Sequence, residues 1–151
     1  MSLSLRATLA LLLLVPAGCV TRTTSVEQTP TGDTVGATLV VERFLRAVNA
    51  NDIQTMARLF GTRDGSISNR DPQTEVEQRM FTLASYLRHE DYGVAGERVV
   101  PGRIGEAIQI ITELRLTGRT SAAQVPFTLV QTRDGSWMVE QIGVDDLGRR
   151  N

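Results

Sequence analysis

The spacing of apolar residues changes once along this chain, and that change limits the folds open to it. Up to about Leu87 apolar side chains recur every three or four residues; beyond Tyr92 they alternate. The first period is that of an amphipathic helix and the second that of a strand with one buried face. Helices first and hairpin-linked strands second predict an α+β domain, three N-terminal helices packed on a curved antiparallel sheet of four to six strands.

Val35, Leu39, Val40, Phe44, Leu45 and Val48 form the apolar stripe of a first helix, with Glu42, Arg43, Arg46 and Asn49 largely opposite. It should stop around Asn49–Asn51, where Asn51 or Asp52 can cap a second helix. Ile53, Met56, Ala57 and Phe60 carry that second stripe, and Gly61 ends it. A polar stretch over 62–71 follows, with a turn at Asp64-Gly65 and a short strand around Ser66–Ser68. Asp71-Pro72 resembles an N-cap followed by proline in the first helical position, and Thr74 with Glu77 offers a capping box nearby. Val76, Met80, Leu83, Ala84 and Leu87 then share a face, and the third helix should end near Arg88-His89.

In the second half, Ile108, Ile110, Thr112, Leu114 and Leu116 lie on one side of a strand, with Gln109, Ile111, Glu113 and Arg115 on the other. A strand over Tyr92–Val100 precedes it, bounded by Pro101-Gly102. Gly118-Arg119 turns the chain into Val125–Thr132, and Asp134-Gly135 is a two-residue hairpin signal leading to Trp137–Val144.

Composition excludes several functions. The chain has 151 residues and a formal net charge of −1, so it offers no basic face for nucleic acid. Its single cysteine rules out an internal disulfide framework and a multi-cysteine metal site. All 16 basic residues are Arg, scattered from Arg6 to Arg150 among Asp and Glu, which is compositional bias rather than a binding stripe.

The first residues form an address rather than a fold. Arg6 is followed by the apolar run Ala7–Val15 and by Pro16-Ala17-Gly18-Cys19. Nine apolar residues are too few to cross a bilayer core of about 30 Å, whereas a charged start, a short apolar middle and a small-residue exit mark export. Ala17-Gly18-Cys19 resembles the lipobox of bacterial lipoproteins, in which the thiol receives a diacylglycerol and becomes the mature N-terminus. Pro16 departs from the Leu or Val usual at its place, and ordinary cleavage after Ala17 is the competing reading. Val20 and Thr21 after the cysteine, with no Asp, resemble sorting to the outer membrane where the host has two membranes. The expected organisation is therefore a signal peptide over 1–18, a lipidated Cys19 with a Thr-rich flexible tether to residue 34, a domain over 35–146 and a polar tail over 147–151. About 15 residues of such tether span on the order of 20 Å.

The segment VVERFLRAVNANDIQTMARLF, continuing to the closing DGSWMVEQI, resembles the nuclear transport factor 2-like superfamily. The resemblance covers roughly residues 35–146 and implies a cone-shaped, cystatin-like domain with an apolar pocket. That family includes ketosteroid isomerase-like and polyketide cyclase-like enzymes, whose isomerase site uses a Tyr on the first helix and an Asp on a strand as oxyanion donors. Here Phe44 stands in the place of the Tyr, and the place of the second donor falls on Thr128 or a neighbour. Losing both donors removes several kcal/mol of transition-state stabilisation. Asp71 is the one match to the proton-transferring base, with a helix cap as its structural alternative.

Other constellations are weaker. Asp64-Gly65-Ser66-Ile67-Ser68 spells DxSxS, the magnesium signature of a different fold, and is expected to be a polar turn. His89 is the only histidine, so no two-histidine metal site or Ser–His pair can form around it, and His89-Glu90-Asp91 is expected to be a solvated helix end. The chain is thus expected to be a non-enzymatic lipoprotein domain without cofactor or metal, held at the membrane through Cys19. It would bind a protein partner of the cell envelope or a small apolar ligand in a pocket near Phe44, Phe60, Leu83, Tyr86, Leu114 and Trp137. A module that dimerises through the sheet face carrying Ile111 is one alternative. A cyclase- or isomerase-type enzyme using Asp71 is the other.

Overall fold

The computed structural model describes residues 32–145 and Leu147. The export segment, Cys19, the tether up to residue 31 and most of the tail lie outside the described residues.

Three helices come first: α1 (Gly32–Ala50), α2 (Ile53–Leu59) and α3 (Gln73–Leu87). Between α2 and α3 sit a minimal hairpin, β1 (Gly61–Thr62) with β2 (Gly65–Ser66), and one 3-10 turn over Ile67–Asn69. Then β3 (His89–Val99), β4 (Ala107–Leu116), β5 (Ala123–Gln131) and β6 (Trp137–Ile142) pair antiparallel in sequence order. The architecture is α+β, three helices and a four-stranded antiparallel sheet, as the change of period predicts.

Register explains which face is buried. Ile108, Ile110 and Leu114 on β4 stand opposite Leu129, Phe127 and Ala123 on β5, and these pairs line the face beneath the helices. Gln109 opposite Thr128 and Glu113 opposite Gln124 occupy the other face. α1 lays Val41, Phe44, Leu45 and Val48 on the buried face, all at most 1% exposed. Phe44 is the centre of that contact, with ring centroids 6.3 Å from Phe60 and 6.1 Å from Phe127. Register shifts at His89/Asp91 and Val94/Gly96 in β3 and at Thr128/Leu129 between β5 and β6 insert unpaired residues. Such bulges bend a strand and increase the twist of its sheet.

Several elements differ locally from expectation. α1 begins at Gly32, ahead of Val35, and so takes up the end of the Thr-rich run. The strand expected around Ser66–Ser68 is only Gly65–Ser66, because Ser66 starts the 3-10 turn: its Oγ accepts from the Ser68 N–H at 3.1 Å and donates to the Ala57 carbonyl at 2.7 Å. Asp52 does cap α2, accepting from the Thr55 N–H at 2.9 Å. Hydrogen bonds from Thr55 hold its carboxyl below the usual carboxylate range.

The expected caps of α3 do not form. Pro72 occupies the N-cap position without a side-chain hydrogen bond. Asp71 turns instead to Arg70 Nε at 3.1 Å and Arg79 Nη1 at 3.4 Å, and Glu77 accepts from Gln54 and Gln73. Charge-assisted bonds to guanidinium outcompete a neutral backbone donor for the Asp71 carboxylate.

His89 is likewise no solvated helix end. Extended backbone at Arg88 (φ −58°, ψ 125°) stops α3, and His89 opens β3 with 6% exposure. Its Nδ1 lies 2.9 Å from the Leu87 carbonyl and its ring meets Tyr92 edge-on. Asn49, at the end of α1, donates to the His89 carbonyl and accepts from the His89 N–H, which ties the first helix to the start of the sheet.

At the far end of the sheet, Trp137 on β6 lies against Gly36 of α1. A Cβ at Gly36 would sit 2.9 Å from the indole Cδ1, so the close approach of helix and ring depends on a residue without a side chain. Arg103, in the β3–β4 connection, makes a two-pronged ion pair with Glu140 on β6.

Candidate functional site

The helices do not cover the whole buried face of the sheet. α1 packs closely from Ala37 onward toward its C-terminus, while the second half of β3, past its bulge at Val94/Gly96, is mostly exposed. Between them lies an open cavity of about 450 Å³. One wall is the first turns of α1, with Val35, Thr38, Leu39 and Glu42 spaced three and four residues apart and therefore on one face. The facing wall is β3 from Val94 to Glu97, and Ile110 of β4 lies on the floor. A second depression of about 240 Å³ adjoins it, sharing Thr34 and Glu97, and is walled by Val99, Ile104, Ile108 and Trp137.

The walls hold apolar side chains in water. Seven large apolar residues are exposed among the described residues, and five of them are Val35, Leu39, Val94, Val99 and Ile104. All five line these two depressions. Val35 and Leu39, each 51% exposed, thus leave the core stripe to which their spacing assigns them. The helix is long enough to outrun the part of the sheet that packs against it.

The residues expected near a pocket separate into three places. Phe44 and Leu114 are fully buried in a filled core, and Phe60 and Leu83 pack against that core. Trp137 lines the second depression. Tyr86 stands on α3 with 49% exposure and lines neither depression. Asp71 lies at the entry to α3 in its two ion pairs, away from both.

The strand place expected for a second oxyanion donor can also be located. Thr128 belongs to the outer face of β5 and accepts from Gln109 Nε2 at 3.3 Å, while Val125, Phe127 and Leu129 hold the inner face. Ile111, on the same outer face, is itself 7% exposed. The DxSxS stretch is a turn in which Asp64 pairs with Arg133 at 2.9 Å. No group of three or more His, Asp or Glu side chains is placed to hold a metal among the described residues. Nor is any helix among them long and apolar enough to cross a membrane.

Sequence reasoning missed the cavity carboxylates Glu42 and Glu97. Glu97 was not legible: unbroken alternation from Tyr92 and Val94 would put it on the outer face of the strand. The Ala95 bulge, which restores it to the inner face opposite Ile110, leaves no mark in the residue pattern.

No family model matches the chain, and no curated protein matches it. Among solved structures it is similar to a candidate ketosteroid isomerase from Shewanella frigidimarina NCIMB 400, at 13% identity and a TM-score of 0.48, covering 74% of this chain and 95% of that one. It is also similar to an NTF-2 like protein of unknown function from Shewanella oneidensis MR-1, at 11% identity and a TM-score of 0.47, covering 72% of this chain and 95% of that one.

Proposed function

We propose that this chain is an exported protein, anchored to a membrane of the cell envelope through lipid on Cys19, whose nuclear transport factor 2-like domain holds a small apolar ligand without transforming it. The observation that carries the ligand reading is the gathering of five exposed apolar side chains on one pair of adjoining depressions. Soluble domains rarely leave contiguous apolar surface in water unless something covers it, and about 450 Å³ falls within the range of small-molecule sites. Affinity would come from removing that surface from water, at roughly 25 cal/mol per Å². A binding rather than catalytic role is favoured by Phe44, which has no hydroxyl to donate, and by Asp71, whose carboxylate is engaged by two arginines away from the cavity.

The chain's single tryptophan makes the test direct, because Trp137 lines the adjoining depression and touches Gly36. Titration of octan-1-ol into the full chain should shift Trp137 emission saturably. Leu39→Gln, at a half-exposed position, should abolish the shift while leaving the melting temperature nearly unchanged. An unsaturable response, or one identical in Leu39→Gln, refutes the ligand site. The anchor is tested separately by mass spectrometry of the mature N-terminus: an acylated start at Cys19 is expected, and an unmodified start at Gly18 would contradict it.

A further inference from the structure

The cavity between α1 and β3 is apolar along its walls and acidic at its charged positions. Glu42 enters from α1 and Glu97 from β3, both half-buried; among the described residues no Arg or His lines this cavity, while Arg98 lines the adjoining depression that shares Glu97. Among the described residues five other carboxylates pair with arginine: Asp64 with Arg133, Asp71 with Arg70 and Arg79, Asp91 with Arg115, Glu106 with Arg63, and Glu140 with Arg103. Among the described residues Glu42 and Glu97 make no ion pair; the exposed Glu75, Glu90 and Glu113 make none either, but Glu42 and Glu97 are half-buried and face an apolar recess.

We propose that the ligand of this cavity is a small amphiphile with one protonated amine, its apolar part against Val35, Leu39, Val94 and Ile110 and its ammonium between Glu42 and Glu97. This inference rests on reading the cavity as a binding site. Two carboxylates facing a recess walled by apolar groups focus a negative potential into it, which attracts a cation and repels an anion of the same shape. The Thr38 hydroxyl, one turn before Glu42, adds an acceptor for a third N–H of the ammonium. A metal ion fits less well, because the described residues bring no third carboxylate or imidazole to the pair. The volume suits one small molecule and not a helix or an extended peptide.

The test compares three eight-carbon probes that differ only at the head: octylamine, protonated near neutral pH, octan-1-ol and octanoate. In calorimetric titrations of the full chain, octylammonium should bind about ten-fold or more tighter than octan-1-ol, with octanoate weakest. Glu42→Gln and Glu97→Gln, which keep side-chain volume, should each reduce that preference, and the double variant should abolish it while octan-1-ol binds as before. Glu113→Gln, exposed on the opposite sheet face, should change nothing. Equal affinity for octylammonium and octan-1-ol, or a preference that survives the double variant, overturns the cationic ligand while leaving an apolar site. Failure of octan-1-ol as well overturns the site itself.

Discussion

Phe44→Ala is expected to lower folding stability by about 3–5 kcal/mol, the usual range for truncating a buried aromatic. Phe44 is fully buried and joins its own helix to Phe60 at the end of α2 and to Phe127 on β5. Alanine leaves both partner rings facing a void, and the dispersion attraction forfeited there is what holds α1 and the sheet in place against each other. Urea denaturation of the variant measures the loss. A change under about 1 kcal/mol would mean that this aromatic cluster does not organise the core. Because Phe44 lies in the filled core and not along the cavity, the variant that still folds should keep its octan-1-ol response.

Gly61→Ala should be nearly as damaging, although it adds only one methyl group. A Cβ at Gly61 would lie 2.3 Å from the Gly65 carbonyl oxygen and 2.9 Å from both the Gly65 carbonyl carbon and the Ser66 Cα. These are backbone atoms of a two-residue hairpin, and they have little room to retreat. Ser66 is fixed to the Ala57 carbonyl and to the Ser68 N–H, and the Ile67 N–H donates to the Phe60 carbonyl at 2.9 Å. Overpacking of this kind costs about 1–3 kcal/mol, and the upper end is expected where backbone must move. Thermal melting of Gly61→Ala beside Gly93→Ala, whose Cβ would meet nothing within 4 Å and whose backbone is not left-handed, separates collision from the general cost of replacing a glycine. Equal losses in the two variants would refute the collision.

The fold was legible because it depends on periodicity, and the site was less so because it depends on where periodicity is broken. Ile110, Leu114, Phe127 and Leu129 announce a one-sided sheet by alternation alone. Val35 and Leu39 have the same four-residue spacing as Val40 and Phe44, yet they stand in water. What separates them is the open cavity between the first turns of α1 and the bulged part of β3, and a bulge adds one residue to the pairing without any required residue type at that place. Asp71 and His89 show the limit of local signals in another way. Both lie beside convincing helix-end patterns, but Arg79, eight residues on, captures the carboxylate of one, and Asn49, forty residues back, holds the backbone of the other. Long-range partners of that kind override a local preference of about 1 kcal/mol.

Methyl-resolved NMR of the full chain during an octan-1-ol titration tests the central claim most directly, because it places the guest in the fold. The account predicts saturable shifts at Val35, Leu39, Val94 and Ile110, with the methyl groups of Leu45 and Leu114 in the filled core unmoved. Shifts centred on Ile111 and Val130 of the outer sheet face, or no saturable shift anywhere, would contradict it.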